Sequence, residues 1–105
     1  MHELYPMKLI QVVANTALEE RLIEVAGAHE ISGYTILEAR GAGSAGLQTG
    51  ALEGESSLLF MLAVPLDKLD AVLNDINRLM RRGHHLAVFI SDTQVMRREK
   101  YFSPA

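Results

Sequence analysis

The 105-residue sequence predicts a single α+β domain made of two β-α-β units in series. Three observations lead there. Apolar runs of strand length alternate with two stretches whose apolar residues recur at helical spacing. The two halves match in element type and in approximate length. The chain is also long enough to bury one core and too short for two.

Met7 to Ala14, with two valines and an isoleucine, ends just before Asn15-Thr16 and reads as a buried strand. Thr16 with Glu19 three residues on has capping-box spacing, and Leu18, Leu22, Val25 and Ala26 follow at helical intervals. That helix is expected to run to about Glu30, with Gly33 closing the connection. From Tyr34 to Arg40 the pattern alternates: Thr35, Leu37 and Ala39 on one face, Tyr34, Ile36, Glu38 and Arg40 on the other. Ser57 to Val64 is almost wholly apolar, as in a central strand covered on both faces. Pro65 suits the first turn of a second helix, whose Leu66, Leu69, Val72, Leu73, Ile76, Leu79 and Met80 make one stripe ended by Gly83. His85 to Asp92 is the fourth strand, and 93–105 a basic tail.

Right-handed crossovers in both units then give a ferredoxin-like βαββαβ sandwich, a four-stranded antiparallel sheet with two helices on one face. The other face is apolar enough to need a cover, for which a second subunit is the natural candidate in so short a chain.

Composition narrows the function classes. Hydrophobic residues are 49% and charged residues 22%, which fits a folded soluble domain. Without cysteine there is no disulfide or thiolate chemistry. The amino-terminal segment lacks a basic region and a cleavage site, and no apolar run approaches the roughly 20 residues of a membrane span, so a cytoplasmic protein without stable membrane insertion is expected. A net charge of −3 does not recommend nucleic acid as a partner. Arg78, Arg81, Arg82, Arg97, Arg98 and Lys100 nevertheless crowd the last third, and converging in the fold they would make a local anion site.

The segment 41–56 holds five of the chain's eight glycines and follows a strand directly. Its length favours a ligand-gated or partner-binding loop over a plain hairpin connection, and Gly41-Ala42-Gly43-Ser44 can present successive amides to an anion. No helix follows, so it is not a dinucleotide fingerprint, and no Gly-Lys-Ser/Thr makes it a Walker loop. His84 and His85 are adjacent and diverge, which suits loop or surface positions better than one shared metal, with one of them a candidate for lining a phosphate site. Glu53 and Glu55 read as a solvated loop edge. No nucleophile, base and acid constellation stands out, and a non-enzyme is expected. Arg97 and Arg98 fit a binding cleft or a solubilising tail equally well, and Arg81 and Arg82 complement a helix dipole.

The order of elements, "GYTILEARGAGS" entering the loop, the junction "LAVPLDKLDAVLNDI" and the closing "VMRREKYF" together resemble the PII-like signalling proteins over nearly the whole chain. The resemblance implies a homotrimer that binds adenine nucleotides between subunits, with 41–56 as the T-loop that engages a partner. It implies Thr35 near the adenine, Gly41 and Gly43 close to the phosphates, and Arg97 as a phosphate contact. The expected nucleotide set is Thr35, Gly41, Ala42, Gly43, Ser44, Gly83, His84, His85, Arg97 and Arg98. The loop has no tyrosine to modify, Ser44 replaces a basic residue, Gln48 is out of register, and only "RRGHH" precedes the last strand. These departures, with "RREKYF", are more similar to the carbon-related branch of SbtB-like and carboxysome-associated PII-like proteins. That branch implies ADP, AMP or cyclic AMP (cAMP) as ligand, with no covalent cofactor. It also implies bicarbonate as a possible co-ligand at Gly41, Gly43, Ser44 and Arg98, and a bicarbonate transporter or carboxysome-associated protein as partner. The rival is a CutA-like or efflux-accessory interaction module of the same fold, against which the missing cysteines and poor histidine spacing count.

Overall fold

A computed structural model of the chain describes residues 1–31, 33–41 and 56–96. Ala42, Gly43, Ser44, Arg97 and Arg98 lie outside the described residues, as does most of the 41–56 loop.

Strands β1 (Tyr5–Asn15), β2 (Thr35–Ala39), β3 (Ser57–Val64) and β4 (Ala87–Val95) alternate with helices α1 (Glu19–Ala28) and α2 (Leu69–Arg81) in the order β1-α1-β2-β3-α2-β4. The sheet order is β2-β3-β1-β4 and every pairing is antiparallel. This is the expected ferredoxin-like α+β architecture. Alternation in the central strands places the core: Leu58, Phe60, Leu62 and Val64 of β3 and Ile10, Val12 and Ala14 of β1 are buried on one side. Leu22, Val25 and Ala26 of α1 and Val72, Ile76 and Leu79 of α2 close over them. Each valine, leucine, isoleucine or phenylalanine among them contributes about 1.5–3 kcal/mol by leaving water.

On the other side, residues of odd number share a face. Its rows run Leu37–Leu59–Val13–Ala87 and Thr35–Met61–Gln11–Phe89 across the sheet. Phe89 is 59% and Leu37 50% exposed on this face, and Leu59, Met61 and Val13 are half-buried. The expectation that β3 is covered on both sides therefore holds within one chain for the helix side alone.

Several boundaries differ from the sequence pattern. β3 has the expected ends, whereas β4 starts at Ala87 and runs past Asp92 to Val95. The polar residues Thr93 and Gln94 are drawn into strand because β1 begins as early as Tyr5, which pairs with Val95. Asn15 rather than Thr16 caps the first helical segment: its side chain accepts from the Ala17 amide at 2.8 Å, and a 3-10 turn over Thr16–Leu18 precedes α1. Glu30 rather than Gly33 reverses the chain after α1. It takes φ +57° and lets Ile31 donate to the Ala26 carbonyl at 2.9 Å. Leu66 and Met80 drop out of the apolar stripe of α2 and are exposed, Leu66 because it belongs to a separate 3-10 turn, Leu66–Lys68.

Candidate functional site

Register decides which of the candidate residues meet. Asn15, Ser57 and Ala39 form the last row of β1, β3 and β2, and β4 enters two residues away with Ala87 opposite Val13. Gly41, just past β2, and Gly83 to His85, just before β4, therefore lie at the same end of the sheet. The same end ties down the exit of the glycine-rich loop. The Thr16 amide donates to the Ser56 carbonyl at 3.0 Å, and the two hydroxyls are 2.9 Å apart.

The connection between α2 and β4 is built by its glycine. Gly83 takes φ +95°, its amide donates to the Met80 carbonyl at 3.0 Å, and the His84 amide donates to the Leu79 carbonyl at 3.2 Å. This pair of bonds is a Schellman cap, which needs a left-handed residue at that position. His84 then turns toward the helices, where its Nε2 lies 2.8 Å from Arg21 Nη1. A guanidinium has no acceptor, so Arg21 donates and Nε2 accepts in this contact. His85 is exposed, as divergence of the pair requires. Arg21 was not legible as a partner of this loop, because only the packing of α1 beside α2 brings 21 and 84 together.

Thr35 opens β2 on the uncovered face. β2 leaves β3 at that point, so a cavity of about 230 Å³ forms beside it, lined by Gly33, Tyr34, Thr35, Leu9, Met61 and Ala63 among others. Its lining is mostly apolar, with Thr35 and Tyr34 as its hydroxyl-bearing residues, suited to a flat ring that carries a few polar atoms. The Tyr34 ring stacks on Phe60 with centroids 5.3 Å apart, which anchors the start of the strand.

The chain enters 97–105 from the opposite end. β4 spans Ala87–Val95, roughly 27 Å of strand at about 3.3 Å per residue, and Val95 pairs with Tyr5. Within one subunit the described candidates are thus split: Gly41, Gly83, His84 and His85 at one end, Thr35 in mid-sheet, and the approach to Arg97 at the far end. Among the described residues no group of three or more His, Cys, Asp or Glu could hold a metal, and no helix is long and apolar enough to cross a membrane.

Comparison with known proteins places this arrangement. The sequence profile of "Nitrogen regulatory protein P-II" matches residues 7–100. No curated protein matches the chain. Among solved structures, CPII from Thiomonas intermedia K12 bound to ADP and bicarbonate is 27% identical with a TM-score of 0.84, covering 97% of this chain and 100% of that one. A second structure of CPII, described as a nitrogen regulatory PII-like protein bound to ADP, AMP and bicarbonate, is also 27% identical with a TM-score of 0.84, over 96% and 98% of the two chains. A PII-like signalling protein from Thermus thermophilus is 30% identical with a TM-score of 0.70, over 97% and 100%. These neighbours fit the carbon-related branch that the sequence resembles. With 94 of its 105 residues inside the profile (7–100), the chain belongs to the P-II family.

Proposed function

We propose that the protein is a non-enzymatic, homotrimeric, cytoplasmic signalling protein. In this reading it binds ADP or AMP in clefts between subunits, with bicarbonate as co-ligand, and its 41–56 loop carries occupancy to a protein of inorganic-carbon metabolism. The observation that carries this reading is the split of the candidate residues over one subunit. Gly41 and Gly83 to His85 sit at one end of the sheet, and the approach to Arg97 is roughly 27 Å away along β4. In this reading a neighbouring copy supplies Arg97 to the cleft. The uncovered face with Leu37, Leu59, Met61 and Phe89 supports such a copy, since monomers rarely leave a contiguous apolar face in water.

The ligands are proposed from likeness to CPII, bound to ADP, AMP and bicarbonate, and from chemistry. Thr35 and its cavity take the ring. The amides of Gly41 to Ser44 and the guanidiniums of Arg97 and Arg98 take the anions, with bicarbonate at Gly41, Gly43, Ser44 and Arg98. Cyclic AMP remains a candidate nucleotide, and a bicarbonate transporter or a carboxysome-associated protein is the proposed partner. Signalling then needs nothing beyond a ligand that binds one loop arrangement better than another. The CutA-like or efflux-accessory reading is not favoured, given the P-II profile and the lack of a metal-holding group among the described residues.

Isothermal titration with ADP, AMP, cyclic AMP and ATP, with and without bicarbonate, tests the proposal. One ADP or AMP is expected per chain, tighter when bicarbonate is present. Arg97→Ala is expected to weaken binding by about tenfold to a hundredfold, the worth of a charge-assisted hydrogen bond. Absence of heat with every adenine nucleotide sinks the function, and unchanged affinity in Arg97→Ala sinks the site.

A further inference from the structure

The outer surface of the helix layer carries a second concavity. Between α1 and α2 runs a groove of about 350 Å³, walled by Arg21 and Glu24 from one helix and Asp75, Arg78 and Arg82 from the other, over a floor of Val25, Ala28 and Leu79. On α1 the lining positions are 21, 24, 25 and 28, and on α2 with its C-cap they are 75, 78, 79 and 82. Each set is a stripe at i, i+3, i+4 and i+7, so two helix faces are turned toward each other across the groove.

Two contacts fix how the stripes align. Arg21, at the start of α1, reaches His84 just past the end of α2, and His29, just past the end of α1, reaches Asp75 Oδ2 at 2.6 Å. The helices are therefore antiparallel, and charge separates along the groove. Asp75 lies at one end with both oxygens engaged, Oδ2 by His29 and Oδ1 by Arg78 at 3.0 Å. Arg21 and Arg82 lie at the other end. The acceptor that Arg21 uses is an imidazole nitrogen and not a carboxylate, and Arg21 forms no ion pair with any described residue. The Arg82 guanidinium has neither a hydrogen bond nor an ion pair with any described residue. Arg78 spends one of its five donors on Asp75. Three guanidiniums thus face two carboxylates, one of them already used, and the positive excess is concentrated at the Arg21–Arg82 end.

We propose that this groove binds a small solute carrying an oxyanion, a phosphate or carboxylate group, seated between Arg21, Arg78 and Arg82. Guanidinium forks are the groups best matched to such anions, and the volume is at the small end of ligand pockets, suited to a metabolite and not to a peptide. Val25 and Ala28 take the body of the solute, and Glu24 accepts from its hydroxyl or amino groups. The groove opens on the helix layer, and its Arg21–Arg82 end adjoins the Gly83–His85 connection through the Arg21–His84 contact.

Titration of the full chain with inorganic pyrophosphate, and separately with citrate, at low ionic strength is the test. Saturable binding of at least one is expected, and the tighter of the two tells phosphate from carboxylate as the natural group. Arg82→Ala should weaken it about tenfold. Arg82→Lys, which keeps the charge and loses the fork, should weaken it less, and Arg97→Ala, aimed at the proposed nucleotide cleft, should leave it unchanged. No binding of either anion to the unaltered chain overturns the proposal. So does binding that Arg82→Ala leaves intact, which would assign the anion elsewhere. A chain that fails to bind ADP leaves these titrations readable, so the two readings fall separately.

Discussion

Gly83 is the residue whose identity the backbone most plainly dictates. A Cβ built there meets nothing within 4 Å, so its glycine is required by φ +95° and not by crowding. Gly83→Ala is expected to lower stability by about 1 kcal/mol in denaturant titration without changing the sheet. A loss below a few tenths would mean that the cap tolerates a side chain. The glycine was legible in the sequence as the end of α2, because a left-handed cap is a local requirement. Glu30 was not legible: it takes the same kind of position after α1 at φ +57°, and no local signal marks a glutamate for it. His84 illustrates the same limit. Its place in a loop could be read from its neighbours, but its tie to Arg21 joins residues 63 apart in sequence.

At the scale of elements, burial decided the strands and local competition blurred their ends. β3 could be read to the residue because its apolar run is unbroken, and β4 could not, because Thr93 and Gln94 are strand only by pairing with Met7 and Pro6 of β1. The entry to α1 shows two caps competing. Thr16 and Glu19 have the box spacing, yet the Asn15 side chain takes the Ala17 amide, and Thr16 spends its hydroxyl on Ser56. Asn15→Ala is therefore expected to cost about 1 kcal/mol, read by thermal or chemical unfolding. Thr16→Val should instead loosen the exit of the glycine-rich loop, visible as faster amide exchange near Ser56. Equal stability of Asn15→Ala and the unaltered chain would move the cap back to Thr16.

For the whole molecule the open sheet face is the decisive feature. Phe89 is 59% exposed on an edge strand, so Phe89→Asp removes little from the fold of one subunit. It places a charge on the face proposed to meet a neighbour. Light scattering is expected to report loss of the proposed trimer while far-ultraviolet circular dichroism is retained. A trimer that survives the substitution would show that the copies meet elsewhere. The candidate cleft belongs to this scale as well. Its glycines could be picked out along the chain, but that they and the approach to Arg97 occupy opposite ends of one sheet follows only from the register of β1 with β4.

The sequence by itself determined the element order, the extent of β3, the family resemblance and the glycine that caps α2. All of these rest on short-range patterns, periodicity and turn chemistry that a linear chain displays. The tertiary structure decided which residues share an end of the sheet, that Arg21 faces His84, and that Arg21, Arg78 and Arg82 gather in one groove. The reason is geometric: strand register and helix packing are set by burying the common core, and they bring together polar residues whose sequence separation carries no signal of the meeting.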